Sequence, residues 1–117
     1  MMQRQFRLRR SADFERMRAE GRTWRHPLLT LSVAPNQLDH NRYGFIASRR
    51  LGGAVVRNRT RRVLREIVRA ASPALAPGFD IILIARDEIV RHPYSKIREA
   101  LEVLFRRVGL WQGERQP

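Results

Sequence analysis

The sequence predicts an α+β fold, a small sheet with one helix that feeds the core and another that displays arginine. Three observations predict it. Residues 49–69, RRLGGAVVRNRTRRVLREIVR, carry eight arginines and one acid, Glu66, in a helical rhythm. Residues 27–34 and 42–48 alternate apolar and polar, the pattern of half-buried strands. The run IILIA at Ile81–Ala85 is short, β-branched and wholly apolar, as in an interior strand covered on both faces.

Taken in order, residues 1–10 form a basic arm. Ser11 is an N-cap candidate with Asp13 in the first turn, where a negative charge suits the helix dipole. A short helix then runs to about Glu20 and stops at Gly21. Its apolar content is thin: Ala12, Phe14 and Met17. Phe14 has two readings, a core anchor or a platform for a base. In the first strand Leu29, Leu31 and Val33 point one way, Thr30 and Ser32 the other. Pro35 to Asn41 is turn-rich, and Tyr43, Phe45 and Ala47 mark a second strand, expected to form a hairpin with the first.

After Gly52-Gly53 comes the arginine helix. Val56, Val63, Ile67 and Ala70, with Leu64, Val68 and Ala71, share one broad face; Arg61, Arg62, Arg65 and Arg69, with Asn58, share the other. Arg57, Arg61 and Arg65 follow at i, i+4 and i+8 with no acid between them. Such like-charge spacing opposes helix formation and suggests a polyanionic partner rather than a merely solvated face. The helix fades near Ser72, ahead of Pro73, Pro77 and Gly78. Strand, helix, strand at this spacing predicts a crossover with parallel pairing of residues 80–86. A last helix starts near Pro93. Ile97, Ala100, Leu101, Leu104, Phe105 and Val108 give it a core face, and Gly109 is a C′ candidate. Residues 110–117 form a short tail in which Trp111 either packs back or lies exposed.

At 117 residues the chain suits one domain spanning 1–117. A net charge of +13 with pI near 11.8 argues for nucleic acid, or less often an anionic membrane surface. All but one of the 24 basic residues are arginine, whose fork suits bidentate phosphate contacts; a G+C-rich coding sequence would give the same bias. The lack of cysteine excludes disulfides and fits a reducing cytoplasm. Ile81–Ala85, the longest apolar run, is far short of a membrane span. His26, His40 and His92 are scattered, with no pair at metal-ligand spacing, and no Walker loop, nucleophile elbow or dinucleotide fingerprint appears. Gly52-Gly53 reads equally as a phosphate cradle or a tight turn. These residues therefore describe a binding module without a visible catalytic site or small-molecule substrate.

Ser48 to Arg62, SRRLGGAVVRNRTRR, continuing to Arg65-Glu66, resembles the signature of the bacterial ribonuclease P protein subunit, centred on Arg57-Asn58-Arg59 and Arg61-Arg62. Residues 10–14 with Gly21 resemble that family's first helix, residues 80–86 its last strand and residues 101–107 its last helix. The resemblance implies a small, mostly antiparallel four-stranded sheet with about three helices and a left-handed βαβ crossover around the arginine helix. It also implies a role in ribonuclease P, an endoribonuclease. There the protein binds a catalytic RNA and the 5′ leader of precursor tRNA, while the RNA carries the chemistry with Mg2+. By the same resemblance Arg57, Asn58, Arg59, Arg61, Arg62 and Arg65 face the catalytic RNA, and Arg49 and Arg50 match a basic pair that is more often lysine. Phe14 matches an aromatic in the leader cleft. Departures stand at Arg18, Leu29 and Ser32, where the family often has aromatics, and at Gly53, where it usually has Asn. That cleft is expected to hold the leader more by charge, through Arg18 and Arg16, than by stacking. The competing readings are a ribosomal or chaperone-type RNA-binding protein and a basic DNA-binding or membrane-surface helix.

Overall fold

The computed structural model describes residues 4–8 and 11–113. Its helices are α1 (Ser11–Glu20), α2 (Ala54–Ala71) and α3 (Tyr94–Val108). Its strands are β1 (Arg22–Arg25), β2 (Leu29–Pro35), β3 (Arg42–Ile46) and β4 (Phe79–Ala85). The strands form one open mixed sheet in the order β1-β2-β4-β3, antiparallel except for the β3–β4 pair.

This order corrects the hairpin expected between residues 27–34 and 42–48. β4 lies between them, and the hairpin partner of β2 is β1. The reason is burial. Ile81 to Leu83 are covered on both faces, and only a central position in the sheet supplies two covers. β1, reading RTWR, is short, charged and largely exposed, as suits an edge. The crossover from β3 through α2 to a parallel β4 is as expected.

The alternation of β-strand side chains splits the apolar residues between two layers. Leu29, Leu31 and Val33 of β2, Ile81, Leu83 and Ala85 of β4 and Tyr43 of β3 join Leu64, Ile67 and Val68 of α2 and Leu101, Leu104 and Phe105 of α3. On the other face, Ala34 and Ile82 meet Leu8 and Met17, with Phe14 and Ile84 packed against them. The sheet therefore has a thick core on the α2/α3 side and a thin cover, α1, on the other.

The thin side is held by charge. Asp80, at the start of β4, is fully buried. Arg42 grips it with two hydrogen bonds, from Nε (2.9 Å) and Nη2 (2.8 Å); Asn36 donates a third (2.9 Å), and Arg16 of α1 pairs with its Oδ2. Arg16 also donates to the Pro35 carbonyl (3.0 Å), so α1 is tied to three strands at one end of the sheet. Burial pushes the Asp80 carboxyl up. The Arg42 and Asn36 hydrogen bonds and the Arg42 and Arg16 charges outweigh it and hold the group below the usual carboxylate range.

The described parts of the arm and tail are packed more than a bare arm and tail would be. The Leu8 amide donates to the Tyr43 carbonyl (2.8 Å), carrying Arg7 onto the β3 edge. At the other end Trp111 packs back. It bridges Leu75, its ring lies 4.9 Å from the Arg106 guanidinium, and Gly109 reverses the chain at φ 83°. α1 begins at Ser11 itself; the residue before it, and residues 114–117 of the tail, lie outside the described residues.

Replacing Asp80 with Asn strands two arginines. Both are about a quarter exposed and can recover some water, so the expected loss is near the low end of the roughly 3–5 kcal/mol typical of a broken buried pair. Thermal melts at neutral pH check this. Because the folded-state pKa lies below the unfolded one, the contribution of Asp80 is complete above about pH 4 and drains away as pH falls further. Acid titration of stability should therefore be less steep in Asp80→Asn than in the unaltered protein.

Candidate nucleic-acid interface

α2 begins where the chain must turn sharply. Gly52 adopts φ 145°, and a Cβ there would come within 3.2 Å of Val56. Gly53 needs no such freedom: its φ is −73° and a Cβ would meet open space. It is the N-cap, without a side-chain cap bond, and no acid stands in the first turn. The positive end of α2 is thus left uncompensated by the protein. The Gly52-Gly53 pair is a turn at its first residue and an open helix end at its second.

Along α2 the arginines fall into two rows. Arg57, Arg61 and Arg65 are half-buried at the margin of the core stripe, beside edge strand β3. The Arg65 guanidinium lies 5.7 Å from the Phe45 ring centre, a cation–π seat. Burial, then the charges of Arg7 and Arg61, push the Arg65 guanidinium down from its usual value. Arg61 donates to Asn58 Oδ1 (2.6 Å), and its other end reaches the Ala47 carbonyl at 3.5 Å. The Arg57 Nε is buried with no hydrogen-bond partner. The outer row, Arg59, Arg62 and Arg69, is exposed. No arginine of α2 pairs with an acid among the described residues. Arg57 to Arg69 spans about 18 Å at 1.5 Å per residue, several phosphates of an RNA backbone. The stripe is a row of fixed donors under mutual repulsion, and a polyanion relieves both conditions.

Arg49 and Arg50 lie on a 3-10 turn after β3, anchored by buried Leu51. Arg49 is exposed, whereas Arg50 meets Asp87 at 3.0 Å. That pair is exposed on both sides and contributes little, so Arg50 is readily released.

The leader-cleft residues divide. The Phe14 ring lies on the α1 side of the sheet, over Gly44, whose Cβ-equivalent would stand 3.2 Å from the ring. Arg18 follows one turn later on α1, exposed. Ser32 faces the same side, its Oγ 3.1 Å from Thr23 Oγ1. Leu29 does not. It is fully buried in the α2/α3 core because alternation turns it away from Ser32, so it is no part of a cleft. Arg16 is likewise committed to Asp80. Sequence reasoning missed Thr30 and Ile84, half-buried on the α1 side, and Ile46, exposed there. Their registers, Thr30 with Ile84 and Ile84 with Ile46, were hidden until β4 was placed between β2 and β3. It also missed Phe45, whose ring seats Arg65, and Arg7, whose charge repels Arg65. Among the described residues Phe14 is the one aromatic ring on this face, since Trp24, Tyr43, Phe45 and Phe79 belong to the other.

The family model for ribonuclease P matches residues 2–109. The chain belongs to the ribonuclease P protein family. The ribonuclease P protein component of Roseiflexus castenholzii is 43% identical over 113 residues, which cover 96% of this chain and 93% of that protein. That of Chloroflexus aggregans is 46% identical over 110 residues, 93% of this chain and 82% of that one. Among solved structures, the Staphylococcus aureus RNase P protein superposes with TM-score 0.84 at 28% identity, covering 91% of this chain and 97% of that one. The Thermotoga maritima protein gives 0.79 at 32%, covering 86% and 96%. As a ribonuclease P protein subunit the chain partners an RNA subunit in a ribonuclease complex that acts in tRNA processing. Among the described residues no helix is long and apolar enough to cross a membrane.

If Phe45 seats Arg65 for RNA, Phe45→Leu keeps the apolar fill and loses the seat. RNA-subunit affinity should fall by roughly 2- to 5-fold, the range of a half-exposed cation–π contact, with little change in melting temperature. Filter binding and a thermal melt on the same sample check it.

Proposed function

We propose that the chain acts as one RNA-binding domain with two working faces, in the cytoplasm. The flank of α2, with Arg49, Arg50, Arg57, Asn58, Arg59, Arg61, Arg62, Arg65 and Arg69, docks on the RNA subunit. The groove beside α1, with Phe14, Arg18, Ser32 and Thr30, takes the 5′ leader of precursor tRNA. Leader removal proceeds by phosphodiester hydrolysis at the RNA subunit, which holds the Mg2+ ions. What carries this reading is the pair of arginine rows on α2, which pair with no acid among the described residues.

The division of labour follows from chemistry. Asp80, the buried carboxylate, has both oxygens occupied by Arg42, Arg16 and Asn36 and does not fit a magnesium ligand. Among the described residues no three His, Cys, Asp or Glu side chains stand close enough to share a metal ion. The groove supplies one ring, two hydroxyls and the Arg18 charge. Those groups suit a single strand of unspecified sequence better than base-edge readout.

Arg59→Ala with Arg62→Ala should weaken assembly with the RNA subunit. It should also flatten the log–log salt dependence by roughly 0.7–0.9 for each phosphate that is no longer neutralised. The leader's contribution to precursor affinity should stay intact. Assembly that survives while leader affinity falls would mean the faces are exchanged. Phe14→Leu and Arg18→Ala should each lower affinity for precursor tRNA and leave that for mature tRNA unchanged. The ring change is expected at up to the roughly 1–3 kcal/mol of one stacked base. An effect from Phe14→Leu alone would remove charge from the account of leader binding.

A further inference from the structure

At the far end of α2 the cationic flank runs into a cavity of about 500 Å³. Phe6, His40, Tyr43, Ser72 and Arg69 line it, with Asp39 at its edge. Its size is that of a small-ligand site, ample for a base and its ribose. The walls are built rather than accidental. Phe6 and His40 meet edge to face, 5.4 Å between ring centres. Asn41 is locked behind them, donating to the Ala76 carbonyl (2.9 Å) and accepting from the Phe79 amide (2.8 Å). Asp39 Oδ1 lies 2.9 Å from His40 Nδ1 and orients that ring. Ser72 carries a half-buried hydroxyl with only a long contact, 3.4 Å, to Tyr43.

The electrostatics are polar in a definite sense. α2 ends at Ala71, so its negative dipole end points at this region, and the Asp39 carboxylate adds to it. A phosphate is unwelcome there, whereas an exocyclic amine is welcome. The one cation in the lining, Arg69, belongs equally to the exposed row of α2. A ring wall, oxygen acceptors and one guanidinium among the lining groups match a nucleotide turned out of an RNA strand. We propose that this cavity takes one unstacked nucleobase of the RNA subunit, amine-bearing, with its phosphate at Arg69. The inference rests on α2 as the docking flank and adds a base contact to a face otherwise made of phosphate contacts. It makes the end of α2 a register mark on the RNA rather than more positive charge.

The test uses full-length protein and the RNA subunit without substrate, reading assembly affinity and dimethyl sulfate reactivity of the RNA. Phe6→Ala should weaken assembly roughly 5- to 150-fold, the range for one base on one ring, with an unchanged salt slope. One adenine N1 or cytosine N3, protected by the unaltered protein, should become reactive. Phe6→Tyr should restore both, and His40→Ala should expose the same nucleotide, which separates a missing ring from a disturbed fold. Normal assembly and an unchanged footprint with Phe6→Ala overturn the proposal, as does protection that appears only when precursor tRNA is added. Arg59→Ala with Arg62→Ala serves as reference. If that variant loses assembly while Phe6→Ala does not, the docking face stands and the pocket falls. If it assembles normally, the docking face falls and the proposal with it.

Discussion

Asp80 and its two arginines are the constraint on which the arrangement of this protein depends. A carboxylate buried to zero exposure is tolerable only when charged and polar donors surround it. Here they come from three places: Arg42 on β3, Arg16 on α1 and Asn36 in the loop after β2. The cluster therefore ties the neighbours of β4 to the helix above them. It acts on the side of the sheet where apolar cover is thin, with Leu8, Met17, Ala34 and Ile82 as the buried apolar residues. The α2/α3 side needs no such device, because twenty-one buried residues among those described already hold it. By fixing one end of α1 the ion pairs set the Phe14 ring over Gly44, with Arg18 exposed one turn further along the helix.

Edge strand β3 separates the two faces of this ribonuclease P protein. Its residues alternate between Tyr43 and Phe45 on the α2 side and Arg42, Gly44 and Ile46 on the α1 side. Phe45 seats an arginine of the α2 flank and Gly44 makes room for the Phe14 ring, so two neighbouring residues serve opposite faces. Leu8 and Arg7 pair along this same edge and bring one more cation toward Arg65. Repulsion among Arg7, Arg61 and Arg65 is a small expense for the free protein and an attraction once a polyanion arrives.

Much of this was legible in the sequence, and the failures are informative. The three helices and the strands β2 and β3 follow from periodicity, and β4 from its unbroken apolar run, which marks a strand covered on both faces. The arginine stripe was equally plain, since it lies within one helix, whereas its division into a half-buried and an exposed row appears only once β3 packs beside it. β1 escaped notice because an exposed four-residue edge carries no apolar rhythm. The expected hairpin failed because proximity in sequence yielded to the demand of residues 81–85 for cover on both faces. Leu29 entered the cleft by analogy with aromatics in related proteins, although its alternation with Thr30 already pointed it into the core. The role of Asp80 is not legible in the sequence because its partners are 38 to 64 residues away.

By itself the sequence determined the polyanion-binding character of the chain, the elements that build it and, through the Arg57-Asn58-Arg59 frame, its family. Those properties are local: charge, period and motif all act over a few residues. Tertiary structure alone decided the strand order, the burial of Asp80, the seating of Arg65 and the cavity at the end of α2. Each depends on contacts between segments far apart in the chain, where the winning arrangement is the one that covers β4 twice and surrounds the buried Asp80 carboxylate with donors.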